Sequence, residues 1–468
     1  MRLQRKDFVG FVLVMGTMVT VFAHTDDAHQ ESHLPLIVDA GGATTMTKAV
    51  ETVALVGFDV LPMTGDGLLR DQVVIIQGGL IQRIGRVGVI EIPENARTIE
   101  RSGSGVLVPG MTDAHVHIPD AREDFLPLFL ANGVTTVFNL KGDPRHVALK
   151  YRAQARDFVG PRIFTSGPFL NDGNVRTSKE ARAMVAQHVE AGYDFLKIHG
   201  QLSESAYAAL TIAAREAEIP VIGHAPRNLP FSAVLEHRQA GIVHAEELIY
   251  TGLQTLNPRQ AARVAEEMAR VGTWLTPTMS TFESITEQWA SPGGLDARLA
   301  RPSAEWLPEQ LRRDWAASDL YVGPPVRERA EIEARNAFHE PLVGAMHSAG
   351  VPILTGTDTP LPGLVPGFSI HDELSELIGA GLSPEAALVA ATRNAGLFIS
   401  EHTSGEAPVF GVLKPGAAAD LIWVQEDPRD NLNTMREPMG VMVRGAWYDR
   451  AALRATLVSV SAPLIADR

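Results

Sequence analysis

Short apolar runs alternate with polar turns and helical stretches through the middle of the chain. The runs are 106–118, 134–140, 162–169, 193–199, 220–225, 242–248, 273–280 and 352–358. Between them lie stretches with helical periodicity, such as 178–191, 203–217 and 258–271. Their starts carry helix-initiating chemistry. Thr177 and Glu180 have capping-box spacing, and Asn257-Pro258 and Ser383-Pro384 set a cap residue before a first-turn proline. Eight such units with continuous apolar strands predict an α/β fold, a (β/α)8 TIM barrel spanning 108–407. A doubly wound open sheet is the alternative. Residues 51–107 and 408–455 instead show period-2 alternation and short turns, which predicts hairpins. The two ends are expected to meet in one small flanking β-sandwich. Residues 283–345 exceed an ordinary βα connection and hold Trp289, Trp306 and Trp315. They predict a helical insertion, serving either as a lid or as a packing or oligomer contact.

The first residues follow a different pattern. Arg2, Arg5 and Lys6 precede an uncharged apolar stretch, Phe8 to Ala23, that ends in the small-residue context Val21-Phe22-Ala23. This is the pattern of a secretory signal peptide over 1–23, and it is short for a membrane span. An uncleaved anchor is the alternative. Residues 24–50 are polar and aperiodic and predict a flexible linker. The expected product is an exported protein, periplasmic or secreted, with no stable membrane span after cleavage.

Composition narrows the chemistry. The 468 residues are 45% hydrophobic and 21% charged, an ordinary globular balance able to bury a large core. The net charge of -14 would repel a phosphate backbone, so no nucleic-acid partner is expected. There is no cysteine, which removes disulfides, iron–sulfur clusters and thiolate ligands. A metal site must therefore draw on His, Asp, Glu or an unusual ligand.

Barrel active sites sit at the C-terminal ends of the strands. The polar residues there are His115 and His117 on strand 1, Lys197 and His199 on strand 4, His224 on strand 5, His244 on strand 6 and Asp358 on strand 8. Residues two apart on a strand share a face, so His115 converges with His117 and Lys197 with His199. Leaving His199 aside, four imidazoles (His115, His117, His224 and His244) and a carboxylate at one end would be a costly concentration of polar groups without a metal. A bare ammonium at Lys197 would be repelled by a divalent cation. A neutral amine is one solution; a carbamate formed with CO2, which can bridge two metals, is a better one. His199 is read as a second-layer, substrate-facing or simply packed group.

The segments VLVPGMTDAHVHI, YDFLKIHG, GHAP, IVHAEE, TGTD and GVLKPGAAADLIWV together resemble the amidohydrolase superfamily. Their order and spacing look most like its imidazolonepropionase-like and prolidase-like branch, which includes ochratoxinase-type amidases. The resemblance extends from about residue 51 to 450. It implies a metal-filled barrel with a flanking β-sandwich and two divalent ions, most simply Zn2+. His115, His117 and Asp358 would hold one ion, His224 and His244 the other, and carboxylated Lys197 would bridge. It further implies an amide substrate attacked by a metal-bridging hydroxide, with Asp358 as general base. The preferred substrate is a dipeptide or an N-acyl amino acid. Arg227 is read as a clamp for a substrate carboxylate and Tyr250 as a donor to the scissile carbonyl; His371 either lines the pocket or starts the next helix. A cyclic amidase, a lactonase or a deaminase on the same centre remains open. So do a non-catalytic exported metal- or solute-binding protein and a homo-oligomer.

Overall fold

β1 (Thr52–Val60) and β2 (Leu69–Gln77) carry continuous buried apolar runs rather than the predicted alternation, β3 (Leu80–Arg86) is more exposed, and consecutive strands pair antiparallel. Gly78 and Gly79 both take positive φ, as the two-residue turn between β2 and β3 demands. The computed structural model describes residues 51–290, 293–318, 321, 326–403 and 407–462. The predicted signal peptide and linker, 1–50, lie outside the described residues. Two short strands, β4 (Arg97–Glu100) and β5 (Val106–Pro109), run parallel to β1.

The chain then enters two parallel sheets. β6 (Met111–Val116), β7 (Val134–Asn139) and β8 (Arg162–Thr165) form the first, and every residue of β6 and β7 is buried. The second contains β9 (Leu196–Ile198), β10 (Val221–Gly223), β11 (Gly241–Val243) and β12 (Trp274–Thr276), in that spatial order. Single parallel bridges join the sheets, Ser166 with Phe195 and Leu170 with Ile198. Burial on both faces explains the continuous apolar runs seen in the sequence.

The eighth run, 352–358, does not form a regular strand. It is held by single parallel bridges, Leu275 with Ile353 and Val116 with Thr359. Backbone bonds from Leu354 to Leu275 O (2.8 Å) and from Ala114 to Thr355 O (2.8 Å) insert it between β12 and β6. One apolar cluster takes a residue from each of the eight runs: Ala114, Phe138, Phe164, Phe195, Ile222, Val243, Trp274 and Leu354. The fold is thus mixed α/β, with parallel strands around a shared interior and helices between them.

Helices alternate with these strands as the caps predict. Thr177 and Glu180 form a complete capping box on Ser178–Glu190, and Asn257 and Ser383 cap Pro258–Val271 and Pro384–Ala391. Near the other end, β13 (Leu421–Val424) pairs antiparallel with β5, and β14 (Gly440–Val443) and β15 (Ala446–Asp449) follow it outward. Both chain ends thereby enter one mixed eight-stranded sheet, β15-β14-β13-β5-β1-β2-β3, with β4 on β1. The described residues within 283–345 lie mostly in helices, including parts of Met279–Ala290 and Val326–Ser348. Trp315 is buried there and donates from Nε1 to Pro360 O, 3.1 Å, just beyond the eighth run. Among the described residues, no helix is long and apolar enough to cross a membrane.

Candidate metal centre

The ends of the parallel strands bring the sequence-predicted donors together. The Nε2 atoms of His115 and His117 lie 3.2 and 2.8 Å from Asp358 Oδ1. The His115 ring is 4.8 Å from that of His244, and the His224 ring is 5.0 Å from His244. Donor atoms of His115, His244 and Asp358 all fall within 4.8 Å of one another. Lys197 is buried between them, its Nζ 3.5 Å from His115 Nε2. His199 stacks flat on Phe169 at 4.4 Å and sits 4.4 Å from the His224 ring.

The backbone that carries these groups is specialised. His244 and Asp358 both take positive φ, 69° and 56°, conformations that cost energy for a side-chain-bearing residue. Asp358 N bonds to His115 O at 2.7 Å and His244 N to Thr276 O at 2.8 Å, which holds both in place. Gly223 precedes His224 with φ 130°, and a Cβ there would lie 2.2 Å from Ile198 O. Only glycine lets β10 approach β9 closely enough to present His224 at this point.

Charge follows burial. His115, His224 and His244 are held well below the ordinary histidine value, first by desolvation and then by neighbouring cationic groups. Burial pushes the Lys197 amine down to about 7. At Asp358 burial works to raise the value, but the close His117 imidazole and nearby positive groups prevail and hold the carboxyl low. Neutral imidazoles beside an ionised carboxylate and a readily deprotonated amine are the donor set a divalent cation requires. The Asp358 Oδ1 atom is buried and makes no geometrically sound hydrogen bond to protein, although two imidazole nitrogens lie close to it. This orphaned oxygen also fits a cation.

Arg227 and Tyr250 lie beside this cluster. Arg227 engages Glu247 through both Nη2 (2.6 Å) and Nε (3.1 Å), and its guanidinium rests 4.0 Å above the Tyr250 ring. Tyr250 OH accepts from Arg335 Nη1 at 3.3 Å. A cavity opens over the cluster, lined by His199, His224, Arg227, His244, Glu246 and Phe282. His371 is buried at the start of the helix Ser369–Gly379, where its carbonyl accepts from Ser375 Oγ and Arg436 Nη2.

Three further residues support the site, and sequence reasoning did not single them out. Glu247 Oε1 lies 3.1 Å from His224 Nδ1. Thr278 Oγ1 lies 2.7 Å from His244 Nδ1. Asp113 is fully buried and accepts from Thr357 Oγ1 (2.6 Å), Thr357 N (3.0 Å) and His115 N (3.3 Å), tying β6 to the segment that carries Asp358. The one available signal was their spacing: an acidic residue two before the first histidine and another three after the strand-6 histidine.

The amidohydrolase family's sequence model matches residues 106–448, and the chain belongs to that family. Ochratoxinase from Aspergillus niger is 33% identical over 113 residues, which is 24% of this chain and 22% of that protein. The matched stretch is thus about a fifth of the relative's length. The crystal structure of the same A. niger ochratoxinase is similar with a TM-score of 0.64, at 19% identity, over 86% of this chain and 96% of that one. Bottromycin amidohydrolase gives a TM-score of 0.68 at 23% identity, over 88% of this chain and 91% of that one. A protein from Bifidobacterium longum, provisionally described as a prolidase, gives 0.63 at 23% identity, covering 88% and 100% of the two chains. These likenesses extend to the fold.

Proposed function

We propose that this protein is a metal-dependent hydrolase that cleaves the amide bond of a dipeptide or N-acyl amino acid. The observation that carries the reading is the convergence of His115, His244 and Asp358 donors beside buried Lys197. The parallel strands are read as a (β/α)8 barrel over 108–407, supported by the cluster fed from all eight runs. The sheet built from 51–107 and 408–455 flanks it. His115, His117 and Asp358 would hold one divalent ion, His224 and His244 a second, with carboxylated Lys197 between them. Zinc suits this nitrogen and oxygen set. When bound, such ions lower the pKa of water towards about 7 and polarise a carbonyl.

The chain's own residues do the rest. Asp358 accepts a proton from the attacking water as the new carbon–oxygen bond forms. It returns that proton to the leaving nitrogen as the carbon–nitrogen bond breaks, so no proton is lost from the balance. Neutral, buried histidines keep their lone pairs available at the pH where Asp358 is ionised. Phe282 and Phe169, packed on His244 and His199, exclude solvent from the cluster. Arg227 keeps its Nη1 atom outside the Glu247 pair, and that atom is the one left to meet a substrate carboxylate. Residues 1–23 are read as a signal peptide and 24–50 as a linker, which makes the working compartment the periplasm or the medium.

The test is metal content together with turnover. Purified protein should carry stoichiometric zinc and hydrolyse members of a panel of dipeptides and N-acyl amino acids. Chelation should abolish turnover, and zinc should restore it. Turnover confined to lactones or aminopurines would overturn the amide reading, and metal-free protein of full activity would overturn the metal reading.

A further inference from the structure

Four side chains run from the metal centre into the insertion. Glu247 is the second residue of the helix Glu246–Thr251, which begins just after β11, and its side chain is 1% exposed. Its Oε1 atom faces two groups at once, His224 Nδ1 at 3.1 Å and Arg227 Nη2 at 2.6 Å, while Oε2 meets Arg227 Nε at 3.1 Å. Arg227 lies flat on Tyr250, and Tyr250 OH receives Arg335 from the long helix Val326–Ser348, where Arg335 also pairs with Glu331.

We propose that Glu247 is a positioning residue that fixes His224 as its Nδ1–H tautomer and aims Nε2 at the metal position, with Arg227 holding Glu247 for that task. The inference rests on the metal reading above for its consequence but not for its geometry. A neutral imidazole carries one N–H. A carboxylate oxygen can only accept, so the nitrogen facing Glu247 must be the one that donates. The other nitrogen then keeps a free lone pair on the side of the cluster. Arg227 takes both carboxylate oxygens in a fork, which leaves Glu247 one rotamer and His224 one ring orientation. An unpaired carboxylate buried to this degree would be costly, so the arginine also makes the arrangement stable. Partners of this kind, one shell behind the ligands, change metal affinity by about 10- to 100-fold when removed. It follows that Arg227 serves the metal centre through Nε and Nη2, and that the insertion braces a ligand through Arg335 and Tyr250.

The experiment compares wild type with Glu247→Gln. Nitrogen-15 spectra of histidine-labelled, metal-free protein report the His224 tautomer, and a zinc titration against a chromophoric chelator reports affinity. A glutamine cannot accept from His224 and from both Arg227 donors together. The expected result is loss of the single Nδ1–H tautomer, with one of two zinc positions weakened at least 10-fold and the other unchanged. Wild-type tautomer and zinc affinity in E247Q would overturn the proposal, even with lowered thermal stability, because that combination marks a purely structural carboxylate. Should E247Q not fold, Glu247→Asp carries the same two readouts; it retains the charge but cannot span both partners. Wild-type protein that binds no zinc would overturn the metal reading, while the tautomer spectra would still decide the role of Glu247.

Discussion

The two pairs of histidines at the centre are held by different means. His224 and His244 have their second ring nitrogens facing side chains, Glu247 Oε1 at 3.1 Å and Thr278 Oγ1 at 2.7 Å. His115 and His117 have no protein partner at Nδ1. Their support is main chain instead: His115 O accepts from Asp358 N at 2.7 Å, and His117 N donates to Thr359 O at 2.7 Å. The first pair therefore depends on rotamers locked by other side chains. The second depends on the register between β6 and the eighth run. A side-chain support can be removed by one substitution with little effect on the fold, whereas a main-chain support cannot. The difference predicts that mutations around His224 and His244 change metal binding, and that mutations along β6 change folding.

Asp358 belongs to both halves, so its substitution should have the largest effect. Asp358→Asn keeps the shape and the main-chain bond to His115 but loses the proton acceptor. Turnover should fall at least about 100-fold, the scale of one general acid–base group, with a native circular-dichroism spectrum. Near-normal kcat would remove Asp358 from proton transfer and leave the two halves without a common working residue.

A smaller effect is expected at Thr278. Thr278→Val is nearly isosteric, and the two residues tolerate the positive φ of 50° equally poorly, so the backbone should not move. His244 Nδ1 loses its hydroxyl partner. The expected change is about 10-fold in zinc affinity at one position, the lower end of the range for such partners. Equal weakening of both zinc positions would argue against independently supported halves.

Much of this architecture was legible because it follows from simple periodicities. A period of two puts His115, on β6, and His117, just past its end, on one side against Asp358, and the apolar runs announce buried parallel strands. The eighth run was harder to read. Its composition suits a strand, but Asp358 turns to positive φ, and its neighbours bond to β12 and β6 through single bridges. The supporting residues were not legible for a related reason. Glu247 reads as a polar residue at a helix start, and only its folding back onto His224 and Arg227, which lies 20 positions earlier in the chain, gives it meaning. The pairing of Arg227 with Glu247 was equally invisible, because a sequence shows a charge without its partner.

The least effect concerns histidines outside the centre, which test whether its neutral imidazoles are unusual. His188 is buried on the helix Ser178–Glu190 with its ring 5.2 Å from Tyr193, and burial pushes it down to about 4. Burial likewise pushes His371 down to about 3. In the unfolded chain both titrate near 6.5. Above that pH neither state binds the proton, and the folded protein is not penalised. As pH falls below 6.5, the unfolded state gains protons that the folded state refuses until about 4 or 3, so stability declines across that window. Each histidine can cost about 1.4 kcal/mol per pH unit within it. Urea unfolding of metal-free protein should therefore lose about 1 kcal/mol more between pH 7.5 and 5.5 in wild type than in His188→Gln. Identical acid slopes would mean that His188 opens to solvent and takes its proton while folded. Burial alone would then not suffice to keep His188 neutral, in contrast to the centre, where Lys197 and the neighbouring imidazoles add to the effect of burial.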